Sequence, residues 1–269
     1  MKGDDLMNTA SVKEAARKFG ADLVGIVSLA SFEGVVPEKD PRFIFPQGKS
    51  LIVIGKRIPR GVLRGVETGT ALNGTYPDFG LHVLEDQLLA KVTYDLTIWM
   101  EYQGFEAVPL FGYDADAASA VPVGSPVAPG KPAPNVFVDW QQAAYLAGLG
   151  EKGRNGLFIT PEFGTLQRFA MLITDKELDP DTVAVRNVCE NCSACQEACP
   201  LNDTLCHRCT NGALQTGFGR FNTVDKIGAA CGRACLASLE ERGLIRNVLK
   251  TPFRTGKPWK RDLLNRNID

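Results

Sequence analysis

The sequence predicts an α+β protein: an α/β layered core over residues 1–180, a small cysteine-rich module over 181–240 and a basic tail over 241–269. Three observations carry that reading. Helical and strand patterns alternate through the first part, as a layered domain requires. Asp179-Pro180-Asp181 then interrupts the periodic pattern. Beyond it the chain changes character, since all eight cysteines fall between Cys189 and Cys235.

The elements follow in order. Ala10 to Phe19 carries apolar residues at helical spacing (Val12, Ala15, Ala16, Phe19), and Gly20 is a natural stop. Asp22 to Ser28 reads as a strand. Ser50-Leu-Ile-Val-Ile-Gly55 is continuously apolar and short, the pattern of a strand buried on both faces. Leu81 to Gln103 has helical spacing through Leu84, Leu88, Leu89, Val92, Leu96 and Met100, and ends at Gly104. Phe105 to Leu110 is the next strand. From Ala115 to Asn135, Pro122, Pro126, Pro129, Pro132 and Pro134 exclude a regular helix or a central strand. A connection of that length in a compact domain points to a functional loop. Asp139 is placed to cap a helix through Leu146. Strands are expected at Leu157 to Thr160 and Phe169 to Thr174.

Composition narrows the class. At 269 residues, with 44% hydrophobic and 23% charged residues, the chain has room for one substantial core and an appended module. No apolar run approaches the ~20 residues that a membrane-spanning helix needs. Neither an apolar signal segment nor a twin-arginine pair is legible, and the expected location is the cytoplasm. The net charge of -1 hides an asymmetry. Arg242, Arg246, Lys250, Arg254, Lys257, Lys260, Arg261 and Arg266 face only Asp262 and Asp269. Such a tail is either a solvated surface segment or a dock for an acidic electron donor or a nucleic acid.

The chemistry lies in Cys189-Glu-Asn-Cys192-Ser-Ala-Cys195-Gln-Glu-Ala-Cys199-Pro200. Three thiols at three-residue intervals, a fourth four residues on and a trailing proline form the spacing that holds a 4Fe-4S cluster in bacterial ferredoxins, where the fourth ligates a second cluster. Cys206, Cys209, Cys231 and Cys235 complete two sets of four. The crossing rule gives Cys189, Cys192, Cys195 and Cys235 to the first cluster, and Cys199, Cys206, Cys209 and Cys231 to the second. The second set is irregular: Gly228 stands where a repeated motif would have its first cysteine, and Leu236 where it would have proline. Zinc sites show separated C-x-x-C pairs, which the overlapping triplet fits poorly. Disulfides do not suit a chain expected in the cytoplasm.

Outside the cysteines, Gly148, Gly150, Gly153 and Gly156 offer backbone amides to the polar edge of a cofactor, or else form a tight connection needing positive φ. The spacing is not a dinucleotide fingerprint, because a helix precedes it. Arg154 is a candidate to pair with an anionic substrate, or to clamp a neighbouring carboxylate. Tyr145, just ahead of the block, is the phenol best placed in sequence to act as general acid. Tyr76, Tyr94, Tyr102 and Tyr113 are the others, and most tyrosines simply pack.

The stretch Ala147-Gly-Leu-Gly-Glu-Lys-Gly-Arg-Asn-Gly-Leu-Phe-Ile-Thr-Pro-Glu-Phe-Gly164, followed by the cysteine region, resembles the reductive dehalogenases and, more loosely, the epoxyqueuosine reductases. Tyr94 to Leu110 is similar to their shared core. The resemblance implies a nitroreductase-like domain that binds cobalamin, a ferredoxin-like module with two 4Fe-4S clusters delivering electrons to the cobalt, and no protein histidine beneath the metal. The two histidines, His82 and His207, lie outside any D-x-H-x-x-G corrinoid motif. Gly150-Glu-Lys-Gly-Arg154 departs from the epoxyqueuosine-type Gly-Trp-Ile-Gly-Lys-Asn, and no Asp-Ser-Ala-Pro segment is present. Two functions stay open. One is an oxygen-sensitive, anaerobic reductase with cobalamin, or less readily flavin, fed by ferredoxin or flavodoxin and acting on a small molecule rather than a nucleic acid. The other is an electron-transfer or binding protein with clusters alone.

Overall fold

The computed structural model describes residues 7–68, 76, 78–111, 124–134, 136–199, 230–246 and 248–250. These fall into two compact units, each assembled from three stretches of chain: 1–56, 85–149 and 168–184 in one, 57–84, 150–167 and 185–269 in the other.

The first unit is built on a sheet. Helix α1 (Thr9–Lys18) starts where Asn8 and Ser11 exchange side-chain and backbone hydrogen bonds, a reciprocal cap that satisfies two orphaned N–H groups. It buries Val12, Ala15 and Ala16 and ends at Gly20, whose φ of +109° suits glycine. Strand β1 (Leu23–Ser28) pairs antiparallel with β2 (Ser50–Arg57), Leu23 opposite Gly55 and Ser28 opposite Ser50. Short helix α2 (Arg64–Thr68) belongs to the second unit. Helix α3 (Ala90–Tyr102) leads to β3 (Ala107–Phe111), α4 (Trp140–Leu146), the short strands β4 (Glu151–Lys152) and β5 (Phe158–Ile159), and β6 (Gln167–Thr174). The four-stranded sheet has the order β1-β2-β6-β3, and β3 is antiparallel to β6. Lys49 N–H donates to the Thr174 carbonyl at one end of the central pair, and Ile58 N–H to that of Leu166 at the other, so β2 and β6 are antiparallel too.

Both faces of this sheet are covered, which is why β2 and β6 read as continuous apolar runs rather than alternating ones. On one face Val24, Ile26, Ile52, Ile54, Ala170 and Leu172 pack with Val12 and Ala16 of α1 and Val92, Leu96 and Met100 of α3. On the other lies α4: a Cβ on Gly25 would stand 2.7 Å from Ala147, and Trp140 stacks on Phe169 with ring centroids 5.2 Å apart. Pro109, which cannot donate to a ladder, sits on the edge strand β3. Asp139 caps α4, accepting from the N–H groups of Gln141 and Gln142 at 2.9 and 3.2 Å.

The mixed α/β layering is as expected, the expected strands fall within two residues of their places, and β4 is additional. The long helix differs. Ahead of α3 the chain winds in wide π-type turns over Asp78–His82 and Leu84–Leu89, and this shifts the buried position from Leu88, which is 45% exposed, to Leu89. Residues 124–134 of the proline-rich connection form neither helix nor strand. No helix among the described residues is long and apolar enough to cross a membrane.

In the second unit, the expected cysteine module is described up to Cys199 and again from Ala230, through the one-turn helix α5 (Ala194–Glu197) and α6 (Ala230–Glu241), which pack together. Pro200, Cys206, His207, Cys209 and residues 251–269 of the basic tail lie outside the described residues. Leu236 of α6 joins a core with Ile58, Val62, Leu63, Tyr76, Leu84 and Leu166. Leu239 joins Ile159, Val188 and Ile245. Arg60 and Glu240, both 5% exposed at the side chain, approach to 4.0 Å.

Candidate metal centre

After α4 the chain enters the glycine block. Gly148, with φ +67°, and Gly156, with φ +78°, need the left-handed region. The space beside the block is filled by the protein's own backbone. A Cβ on Gly148 would lie 2.3 Å from the Thr182 carbonyl oxygen, and one on Gly150 2.1 Å from that of Ile159. A Cβ on Gly153 would meet the Ile159 side chain at 2.8 Å. From Gly150 onward the chain folds into a hairpin, β4 against β5, with Glu151 opposite Ile159 and Lys152 opposite Phe158. Its turn closes through Gly153 N–H to the Leu157 carbonyl at 2.7 Å and Leu157 N–H to Asn155 Oδ1 at 3.1 Å. Of the two readings that the sequence left open for these glycines, the packing favours the tight connection.

That hairpin grips the cysteine loop. The Glu151 carboxylate accepts from three successive N–H groups, of Arg186 (2.7 Å), Asn187 (3.1 Å) and Val188 (2.7 Å). The Arg154 guanidinium, expected to meet a substrate or a carboxylate, instead donates to the Cys192 carbonyl at 3.0 Å and the Cys189 carbonyl at 3.4 Å. Its backbone N–H points at Cys189 Sγ, 3.2 Å away. From the turn just after α6, Arg242 donates to the carbonyls of Val188 (2.9 Å) and Glu190 (3.3 Å). Asn187 and Asn191 take φ of 52° and 54°, left-handed turns that asparagine tolerates better than most residues. The loop is thereby fixed through its N–H groups on one side and its carbonyls on the other.

Cys189, Cys192, Cys195 and Cys235 line one pocket, together with Asn155 and Ser238. Cys235 arrives there from α6, Ser238 follows it three residues on along the same helical face, and Arg242 follows at seven, in the turn just past the helix end. All four thiols are free, and so is Cys199, which is not among the lining residues. Among the described residues, no three His, Cys, Asp or Glu side chains converge as they would on a single metal ion. The electrostatics reflect the crowding. Burial, then the charges of Cys195, Cys189 and Cys192, push the Cys235 thiol up to about 12, while the amide of Asn155 beside it works the other way. Burial and the neighbouring Cys189 and Cys192 likewise raise Cys195. Cys192 moves down, chiefly through its hydrogen bond with Ser238 Oγ at 3.4 Å.

The remaining candidates are dispersed. Tyr145 is half-buried on α4, in the first unit. Tyr76 is buried in the second unit's core, with its ring under Gly80. Tyr94 and Tyr102 are 63% and 84% exposed, and Tyr113 lies outside the described residues. Cys231 is buried on α6. Sequence reasoning passed over Glu151, Asn155, Ser238 and Arg242. The helical spacing of Ser238 and Arg242 after Cys235 was the available signal for those two. Glu151, 35 to 37 residues from the N–H groups it caps, left no local one.

No family model matches the chain. It is 35% identical over 115 residues to the tetrachloroethene reductive dehalogenase of Desulfitobacterium hafniense, covering 42% of this chain and 17% of that protein. It is 41% identical over 59 residues to the epoxyqueuosine reductase of Listeria monocytogenes, covering 22% of this chain and 15% of the relative. The chain thus spans about a sixth of the length of these curated relatives. Among solved structures, a catabolic reductive dehalogenase in complex with 3-bromo-4-hydroxybenzoic acid superposes with TM-score 0.55 at 15% identity, over 96% of this chain and 41% of that one. An epoxyqueuosine reductase with an epoxyqueuosine-modified tRNA stem loop superposes with TM-score 0.50 at 17% identity, over 73% and 52%. At such identities the structures speak for the fold alone. The similarity to reductive dehalogenases and epoxyqueuosine reductases read from the sequence therefore holds in both sequence and fold.

Proposed function

We propose that the protein is an iron-sulfur oxidoreductase that passes electrons through two 4Fe-4S clusters to a cobalamin-like cofactor, which reduces a small molecule. The observation that carries the cluster reading is the pocket shared by Cys189, Cys192, Cys195 and Cys235. Its donor set fits the group: four thiols and no carboxylate or imidazole on the lining, the soft all-sulfur ligation of iron-sulfur centres. A cluster held there supplies one-electron reducing equivalents. The chain's own residues do the rest. Glu151, Arg154 and Arg242 hold the loop in a ligating shape, and Ile159, Val188 and Leu239 give the pocket an apolar wall that limits water. Cys199 and Cys231 remain for the second cluster, with Cys206 and Cys209.

Support for the reductase comes from the similarity to the reductive dehalogenase of Desulfitobacterium hafniense and the epoxyqueuosine reductase of Listeria monocytogenes. Backbone carbonyls fill the space beside Gly148 and Gly150, which suits a tight connection better than a cofactor cradle. The tRNA stem loop belongs to the epoxyqueuosine reductase neighbour. For this chain an acidic ferredoxin or flavodoxin is the partner that suits the basic residues after Arg242. The second reading, an electron-transfer protein with clusters alone, is favoured by that same filling of the glycine block.

One experiment separates them. Protein purified anaerobically and reconstituted with iron and sulfide, then with cobalamin, is analysed for iron, corrinoid and flavin by absorbance and mass spectrometry. About eight irons per chain are expected from the eight cysteines, with bound corrinoid. Iron at that level with neither corrinoid nor flavin selects the electron-transfer reading. Protein that takes up no iron defeats both.

A further inference from the structure

The Arg154–Asn155 turn borders the thiol pocket and offers it donors that the fold does not otherwise use. Arg154 N–H is 3.2 Å from Cys189 Sγ. Asn155 is 6% exposed, and its amide Nδ2 is buried on the wall shared with Cys235, whose thiol lies beside it without a fully formed hydrogen bond. The other end of that amide is occupied, since Oδ1 accepts from Leu157 N–H and fixes the turn. A buried amide donor left unpaired costs about 1–3 kcal/mol, so an acceptor in the pocket is what the position calls for.

We infer that this turn sets the reduction potential of the first cluster, Arg154 N–H donating to the Cys189 thiolate and the Asn155 amide to that of Cys235. The inference rests on the cluster reading above. Adding one electron makes the centre more negative without any proton, and an N–H directed at a ligating sulfur stabilises the more negative state. The guanidinium of Arg154 is a positioning group: by holding the carbonyls of Cys189 and Cys192 it keeps the sulfur in line with the N–H on its own backbone.

Asn155→Asp is the sharpest variant, because it keeps the oxygen that accepts from Leu157 and replaces the donor by a second, anionic oxygen. The readout is the midpoint potential of each paramagnetic signal in a redox titration of the reconstituted full-length protein, with iron content measured alongside. The first cluster's ratio of reduced to oxidised form at a fixed poise is expected to fall at least tenfold, about 59 mV for a one-electron couple. The other signal stays in place. Arg154→Ala, which frees the loop but keeps the N–H, shifts the same signal downward by less, and Arg154→Lys, retaining the charge without the fork, recovers only part of it. Unmoved potentials in iron-replete Asn155→Asp and Arg154→Ala overturn the inference. So does loss of the cluster from both, which would make the turn a scaffold only. Wild-type protein without iron strikes the cluster reading instead.

Discussion

At the scale of single residues, the four pocket thiols form one group. Cys235→Ser and Cys192→Ser should therefore abolish the same paramagnetic signal, whereas Cys199→Ala should disturb a different one. Spectra of the three variants check this, and a Cys199→Ala spectrum matching that of Cys192→Ser would close the four-cysteine run around a single centre. A second residue-scale case is structural. Asp40, 2% exposed, is held by Arg42 through contacts of 2.8–3.0 Å, while Arg42 also reaches the Phe32 carbonyl at 3.2 Å. Burial pushes the Asp40 carboxyl up, but the side-chain and backbone hydrogen bonds of Arg42 and its charge outweigh that and hold it below the usual range. A lowered carboxyl stabilises the fold above its unfolded value of about 3.9 and loses that contribution as pH falls through the folded value. Arg42→Ala should cost about 1–3 kcal/mol at neutral pH. Urea titrations at neutral pH and below pH 4 should show that difference shrinking in acid. What the sequence could say about such residues depended on distance along the chain. Asp139 was legible as a cap because its partners are two and three residues away. Glu151 and Arg154 were not, since each acts on backbone groups some 35 residues distant and carries no local trace of it.

At the scale of elements, the β4–β5 hairpin determines whether the cysteine loop has its shape. Gly150→Ala would drive a methyl group to 2.1 Å from the Ile159 carbonyl. Overpacking of this kind typically costs about 1–3 kcal/mol, and here it would displace Glu151 and Arg154 with it. Thermal unfolding and iron analysis are expected to show a lower Tm and selective loss of the first cluster's iron. Gly61, which has nothing within 4 Å of an added Cβ, is the matched control. Strands and α1 were readable because burial repeats locally: β2 and β6 carry unbroken apolar runs, Leu51 to Ile54 and Phe169 to Ile173, since helices cover both faces of the sheet, and α1 shows its buried stripe and its cap. The π-type winding before α3 was not readable. Apolar spacing of three and four residues fits Leu84, Leu88 and Leu89 equally well to a regular helix, and only the packed structure shows Leu88 turned outward.

At the scale of the whole chain, the two compact units alternate along the sequence, each taking three stretches. A division at Asp179-Pro180-Asp181 makes a definite prediction. Fragment 1–180 keeps Ile58, Val62, Leu63 and Leu166 but lacks Leu236, and keeps Ile159 but lacks Val188, Leu239 and Ile245. It is expected to bind ANS and to unfold without a sharp transition. A monomeric fragment with cooperative unfolding would establish 1–180 as a domain in its own right. The pattern was hidden in the sequence because composition changes once, at the cysteines, whereas the core partners of Leu236 on α6 come from residues 70 or more positions earlier. It also bears on engineering. Grafting the cysteine segment onto another protein would leave behind the hairpin that fixes Val188 to Cys192, so the thiol pocket is not a portable cassette. Any transplant would have to carry three separate inserts into the host, each at a matching break in its chain.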